Sequence, residues 1–189
     1  MMGILARIRR SRLPVEAKRP FAASEHLVAW APVGNGHATG GSAGDGYLVA
    51  TNRGLWLPGR DERLGWHEIH KATWSGRELV VTPARLVRSA GEAPDAPADV
   101  FTDDEPVSYR IGDPGELPYQ VRVRVTKSVA FSTHHELPNG GVRVVARRIP
   151  GVDGLHWALR YDEGTVLIGP DHDLVAEFLA QARNTVETG

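Results

Sequence analysis

Histidine is the side chain best suited to proton transfer and metal binding near neutral pH, and this chain has eight. Their spacing limits what they can do. His67 and His70 stand three apart in GWHEIHK. A helix would put both rings on one face, but the segment reads as a strand, whose side chains alternate. His134 and His135 are adjacent and diverge on a strand in the same way, and His156 stands alone. A metal site needs ligands converging from more than one element; the spacing shows no such convergence, and no metal is expected. The carboxylates cluster in turn-rich stretches (Asp61-Glu62, Asp103-Asp104-Glu105, Asp162-Glu163, Asp171 and Asp173), where solvation and helix capping account for them. There is no G-x-S-x-G elbow and no Walker loop. The absence of cysteine excludes disulfides, zinc–thiolate sites, iron–sulfur clusters and thiol nucleophiles. No catalytic residue is assigned and no cofactor is expected. The enzyme class that such a chain could conceal is a flavin-dependent enzyme of split-barrel type.

Arginine is the other chemistry-bearing residue. Strand alternation places Arg143 and Arg147 on one face of GVRVVARRI, with Val142, Val144 and Ala146 on the other. Arg122 and Arg124 lie nearby in sequence. Guanidinium groups sharing a surface could receive phosphate or an acidic partner through paired, planar hydrogen bonds. An ordinary solvated sheet face with scattered ion pairs, each worth little, is the plainer reading of them. A second group sits in residues 1–20, a basic and flexible arm. It carries Arg7, Arg9, Arg10, Arg12, Lys18 and Arg19 against Glu16, a balance of +5, which with a chain total of -1 leaves -6 for the rest. Ile4, Leu5 and Ile8 fall among these arginines, so a short helix there would be amphipathic, and Pro14 would end it. The negative balance of the body argues against nucleic acid, which usually meets a basic domain.

The elements that position these residues read mainly as β. HLVAWAPV from residue 26 is a first strand. Residues 34–46 hold six glycines and no large apolar anchor, a surface loop. YLVAT and LWLP flank Asn52-Arg53-Gly54, a hairpin whose glycine can take positive φ. GWHEIHKATW and RELVVTP flank Ser75-Gly76, and SVAFSTHHEL and GVRVVARRI flank Pro138-Asn139-Gly140, whose Asn-Gly is a strong turn signal, two further hairpins. Trp56, Trp66 and Trp74 read as core. Residues 89–105 are acidic, rich in alanine and proline, and read as a second loop. PVSYRI is a strand. Asp113 and Pro114 can open a helix in which Leu117, Val121 and Val125 recur at helical spacing; VRVRV alternates as a strand too, and the capping signal favours helix over 114–128. LHWALRY is the last strand. Pro170-Asp171 opens a helix striped by Leu174, Val175, Phe178 and Leu179, and NTVETG is expected to fray.

The architecture implied is a mainly β (β+α) domain over 21–185, a small antiparallel barrel or bent sheet with one internal helix and a C-terminal capping helix. No apolar run reaches the roughly 18–20 residues that span a bilayer, and the N-terminus has no secretory h-region, so a cytoplasmic location is expected. LVATNRGLWLPG, RLGWHEIHKATWSGRELVV, LPYQVRVRVTKSV, GGVRVVARRIPG and LHWALRY resemble an uncharacterised protein group of high-GC Gram-positive (actinobacterial) bacteria. The order of strands with a closing helix is similar to bacterial pleckstrin-homology-like (PH-like) domains. That resemblance implies a seven-stranded bent sheet capped by a helix, and a binding role.

The function expected is therefore a non-catalytic binding or scaffolding module whose barrel recognises a protein partner, in one version through an exposed strand edge. The candidate contact residues are Ile4, Leu5, Arg7, Ile8, Arg9, Arg10, Arg12, Arg143 and Arg147. The alternative is peripheral association with an anionic membrane surface through the arm, at the inner face of the membrane, worth about 1 kcal/mol per basic residue. Oligomeric state is not legible.

Overall fold

The structure, a computed structural model, describes residues 12–34, 46–90 and 98–188. It is mainly β, largely antiparallel, with an internal α-helix and a C-terminal one. The chain gathers into two compact units. The first holds the chain up to Pro83 and returns for Glu105–Thr126; the second holds Ala84–Asp104 and the chain from Lys127 onward.

In the first unit, β1 (Leu27–Val33), β2 (Gly46–Thr51), β3 (Gly54–Trp56) and β4 (Leu64–Gly65) form a four-stranded antiparallel sheet in chain order. A 3-10 turn at Trp66–Glu68 then leads into β5 (Ile69–Trp74), so GWHEIHKATW is broken after Gly65 and is not one continuous strand. The first half of β6 (Glu78–Arg88) pairs with β5 on one side and with β8 (Val107–Arg110) on the other. Gly76, at φ +95°, makes the tight β5–β6 turn. A helix, α1 (Leu117–Ser128), follows β8.

The helical reading of 114–128 holds, with a later start. Gly115 stands at φ +51° and cannot join a right-handed helix, so Pro114–Glu116 form a turn, closed by the Leu117 N–H donating to the Pro114 carbonyl at 3.1 Å. Leu117 and Val121 are fully buried, and Val125 packs against the same cluster. Leu117, Val121 and Val125 turn inward while Tyr119, which an alternating strand would place on the same face, is 62% exposed, as a helix requires. They join Leu48, Leu55, Leu57, Ile69, Leu79 and Val81 in one core.

Gly54 corrects its expectation. It is not among the positive-φ glycines. Its lack of a Cβ matters because β4 passes so close that a Cβ there would lie 2.4 Å from the Leu64 carbonyl oxygen.

The first unit also buries a carboxylate. The Glu25 side chain is 0% exposed. It accepts from Thr51 Oγ1 at 2.7 Å, the Ala22 N–H at 3.1 Å, Trp56 Nε1 at 3.2 Å and Arg63 Nη1 at 3.3 Å. Burial pushes its pKa up, but these donors and the Arg63 charge outweigh burial and hold the carboxyl below the ordinary glutamate range.

In the second unit the sheet runs from the second half of β6 to β7 (Asp99–Asp103), β11 (His156–Tyr161), β10 (Gly140–Arg147) and β9 (Val129–Leu137). Among the described residues, only the β7–β11 pair is parallel. Strand β7 falls within the expected loop 89–105, which is thus corrected at 99–103. Pairing on both sides satisfies the strand's backbone, and Val100, with the neighbouring Ala98, is buried. The C-terminal helix, α2 (Gly169–Thr188), lays Val175, Leu179 and Ala182 on Val142, Val144 and Leu159. The expected fraying from Asn184 does not occur, since the helix runs to Thr188. Thr185 and Thr188 donate back to the carbonyls of Gln181 and Asn184 at 2.9 and 2.8 Å.

Candidate functional site

The histidines sort by strand geometry. His134 and His135 diverge from β9 as alternation requires. His134 Nε2 lies 2.7 Å from Asp162 Oδ2. The His135 ring stacks on Phe178 of α2 with centroids 4.0 Å apart and planes 9° apart. His156 is not isolated in space, since its Nε2 is 2.8 Å from Asp99 Oδ2. His67 sits in the 3-10 turn and His70 in β5. Among the described residues, no three of His, Asp and Glu gather as metal ligands.

His135 Nε2 is buried without a hydrogen-bond partner. Burial, and then the neighbouring His134, lower its pKa from the usual 6.5. The unfolded chain therefore binds this proton more readily than the folded one. Its contribution to stability is full above about pH 6.5 and is lost as pH falls toward the lowered folded value. We expect the melting temperature of the second unit to drop between pH 7 and 5, and His135→Phe to flatten that drop. An unchanged slope in differential scanning calorimetry would remove His135 from the account.

Arg143 and Arg147 do share a face of the second unit's sheet, opposite the one covered by α2, where Val142, Val144 and Ala146 are fully buried. Arg143 is directly opposite Arg160 on β11, and Arg147 is opposite His156. Arg160 pairs with Asp103 at 2.6 Å. Arg143 reaches Ser132 Oγ at 3.5 Å, and Arg147 reaches Ser128 Oγ at 3.3 Å. Burial, and then the Arg160 charge, lower the Arg147 pKa. Acids stand on this face too: Asp99 on His156, Asp103 on Arg160 and Asp162 on His134. It is a mixed-charge surface rather than a uniformly basic one. Arg122 and Arg124 belong to α1 in the first unit. Of the arm residues, Arg12 is exposed; Ile4, Leu5, Arg7, Ile8, Arg9 and Arg10 lie outside the described residues.

A cleft of about 560 Å³ opens in the first unit between β5 and the start of α1. Trp74, Leu79, Pro118 and Tyr119 give it apolar and aromatic walls, and among the described residues Arg122 is its one charged lining residue. Tyr119 is 62% exposed, a large aromatic left in water on the helix face that also carries Arg122. Trp74 packs partly on the core and partly lines the cleft, so the core assignment covers only half of its role. Among the described residues, β5 pairs on one side only, with β6.

The register says which backbone groups are free. The Ser75 N–H donates to the Glu78 carbonyl at 3.1 Å across the turn, and Thr73 faces Val80 two residues on. Antiparallel ladders alternate hydrogen-bonded and non-bonded pairs. The N–H and C=O groups of Ser75, Thr73 and Lys71 therefore point into the ladder, and those of Ala72 and Trp74 point away from β6. An unpaired strand edge thus runs beside an aromatic cleft. Sequence reading missed this pairing of edge and cleft, though Pro118-Tyr119 with Arg122 at helical spacing was its visible half.

No protein-family model, curated protein or solved structure matches the chain. Among the described residues, no helix is long and apolar enough to cross a membrane.

Proposed function

We propose that this chain is a non-catalytic binding module that recognises a protein partner by receiving one of its extended segments along β5. The observation that carries this is the free edge at Ala72 and Trp74 beside the cleft of Trp74, Leu79, Pro118 and Tyr119. Strand addition takes affinity from main-chain hydrogen bonds and specificity from pockets that accept alternate side chains. The unpaired edge of β5 and the cleft beside it support this reading. The order of elements in the first unit supports a PH-like reading of that unit: four antiparallel strands, three more with β7 as an excursion, then α1. The cysteine-free composition is consistent with a cytoplasmic setting.

The test is a random-peptide display library selected on the full chain, with selected peptides then measured against Ala72→Pro. Proline at an edge position whose N–H faces outward leaves the β5–β6 ladder intact and removes one donor to an incoming strand. We expect binding to fall at least about tenfold, equivalent to about 1.4 kcal/mol, with the circular dichroism spectrum unchanged. Peptides that bind Ala72→Pro as well as the parent chain would rule out strand addition at β5.

A further inference from the structure

We infer that the segment received by β5 is acidic, carrying an aspartate or glutamate two residues from the apolar side chain that fills the cleft. This rests on the strand-addition reading and adds the chemistry of the partner. Among the described residues the cleft lining holds one cation, Arg122, and no anion. Arg122 is exposed and its guanidinium makes no hydrogen bond or ion pair among the described residues, whereas Arg63, Arg85, Arg110 and Arg160 each pair with a carboxylate. The planar guanidinium fork matches a carboxylate through two parallel bonds. A segment seated on the apolar walls would displace water from around Arg122 and strengthen such a bond.

Helix geometry sets the spacing. Tyr119 and Arg122 are three apart on α1 and so lie on one face, about 4.5 Å apart along the axis. Alternate side chains of an extended strand fall on one side about 6.5–7 Å apart. A segment paired to the outward groups of Ala72 and Trp74 can therefore set an apolar residue on Trp74 and Tyr119. Its next inward-facing residue then lies within the reach of the long Arg122 side chain.

The experiment compares peptides selected from the same library on the full parent chain and on full-length Arg122→Glu. Parent-selected peptides should carry Asp or Glu two residues from an apolar residue. Those selected on Arg122→Glu should carry Lys or Arg at that place. A parent-selected peptide should bind Arg122→Glu at least tenfold more weakly, and exchanging its acid for lysine should restore affinity for that variant. Peptides lost on Ala72→Pro but indifferent to Arg122→Glu would overturn the acidic partner and leave strand addition standing. Peptides indifferent to Ala72→Pro would overturn strand addition and this inference with it.

Discussion

Glu25→Ala is expected to destabilise the first unit by about 3–5 kcal/mol, the cost of removing one partner from a buried, charged network. The carboxylate has no exposed side-chain surface. It gathers donors from Ala22, Thr51, Trp56 and Arg63, which lie before β1, in β2, in β3 and just before β4. Alanine would leave the Trp56 indole N–H short of an acceptor inside the protein and the Arg63 guanidinium without its carboxylate, while the Thr51 hydroxyl keeps the Gly54 carbonyl at 3.2 Å. An unmade buried bond costs more than a made one contributes. Glu25→Gln keeps an acceptor oxygen and should cost less. Urea unfolding of both variants is the measurement, and a loss below about 1 kcal/mol for Glu25→Ala would show that water replaces the carboxylate. The pH dependence has a definite sign. Because the folded pKa is below the ordinary 4.5, this contribution is complete above about 4.5 and disappears as pH falls through the folded value. Acid should therefore weaken the parent chain over that range more than it weakens Glu25→Gln.

Gly54→Ala should cost about 1–3 kcal/mol, the usual penalty for forcing added volume into a packed site. Gly54 faces Gly65 across the β3–β4 pair. An added Cβ would meet the Leu64 carbonyl oxygen at 2.4 Å, the Leu64 carbonyl carbon at 3.0 Å and Gly65 Cα at 3.1 Å. All three atoms are backbone, so no rotamer change relieves the contact, and β4 has to move. Leu55 and Leu64, paired in the next position, belong to the core and would shift with it. Gly76→Ala makes the contrast. Nothing lies within 4 Å of a Cβ there, and its cost, about 1–2 kcal/mol, comes from the left-handed backbone alone. Hydrogen exchange distinguishes the two: Gly54→Ala should speed exchange of the β3 and β4 amides, while Gly76→Ala should act at the β5–β6 turn. Protection of β3 and β4 retained in Gly54→Ala would show that the strands separate without cost.

Local chemistry made much of the fold legible. Ser75-Gly76 and Asn139-Gly140 marked their hairpins because few residues tolerate the backbone a tight turn needs. Leu117, Val121 and Val125 marked α1 because one buried stripe satisfies a helix, and Leu174, Val175, Phe178 and Leu179 did the same for α2. Strand β7 was hidden, because Asp99 and Asp103 read as loop residues until β6 and β11 supply backbone partners and His156 and Arg160 supply counter-charges. The division into two units was hidden as well, since the chain crosses between them inside one continuous strand, β6.

The candidate site shows the same limit. By itself the sequence determined which turns, stripes and charges exist, because each is set by residues close along the chain. Whether Trp74 lies wholly in the core or walls a cleft depends on where α1, more than forty residues later, comes to rest. Whether β5 has a free edge depends on which strands pair with it. Those are long-range contacts fixed by burial of the common core, and only the tertiary structure decided them.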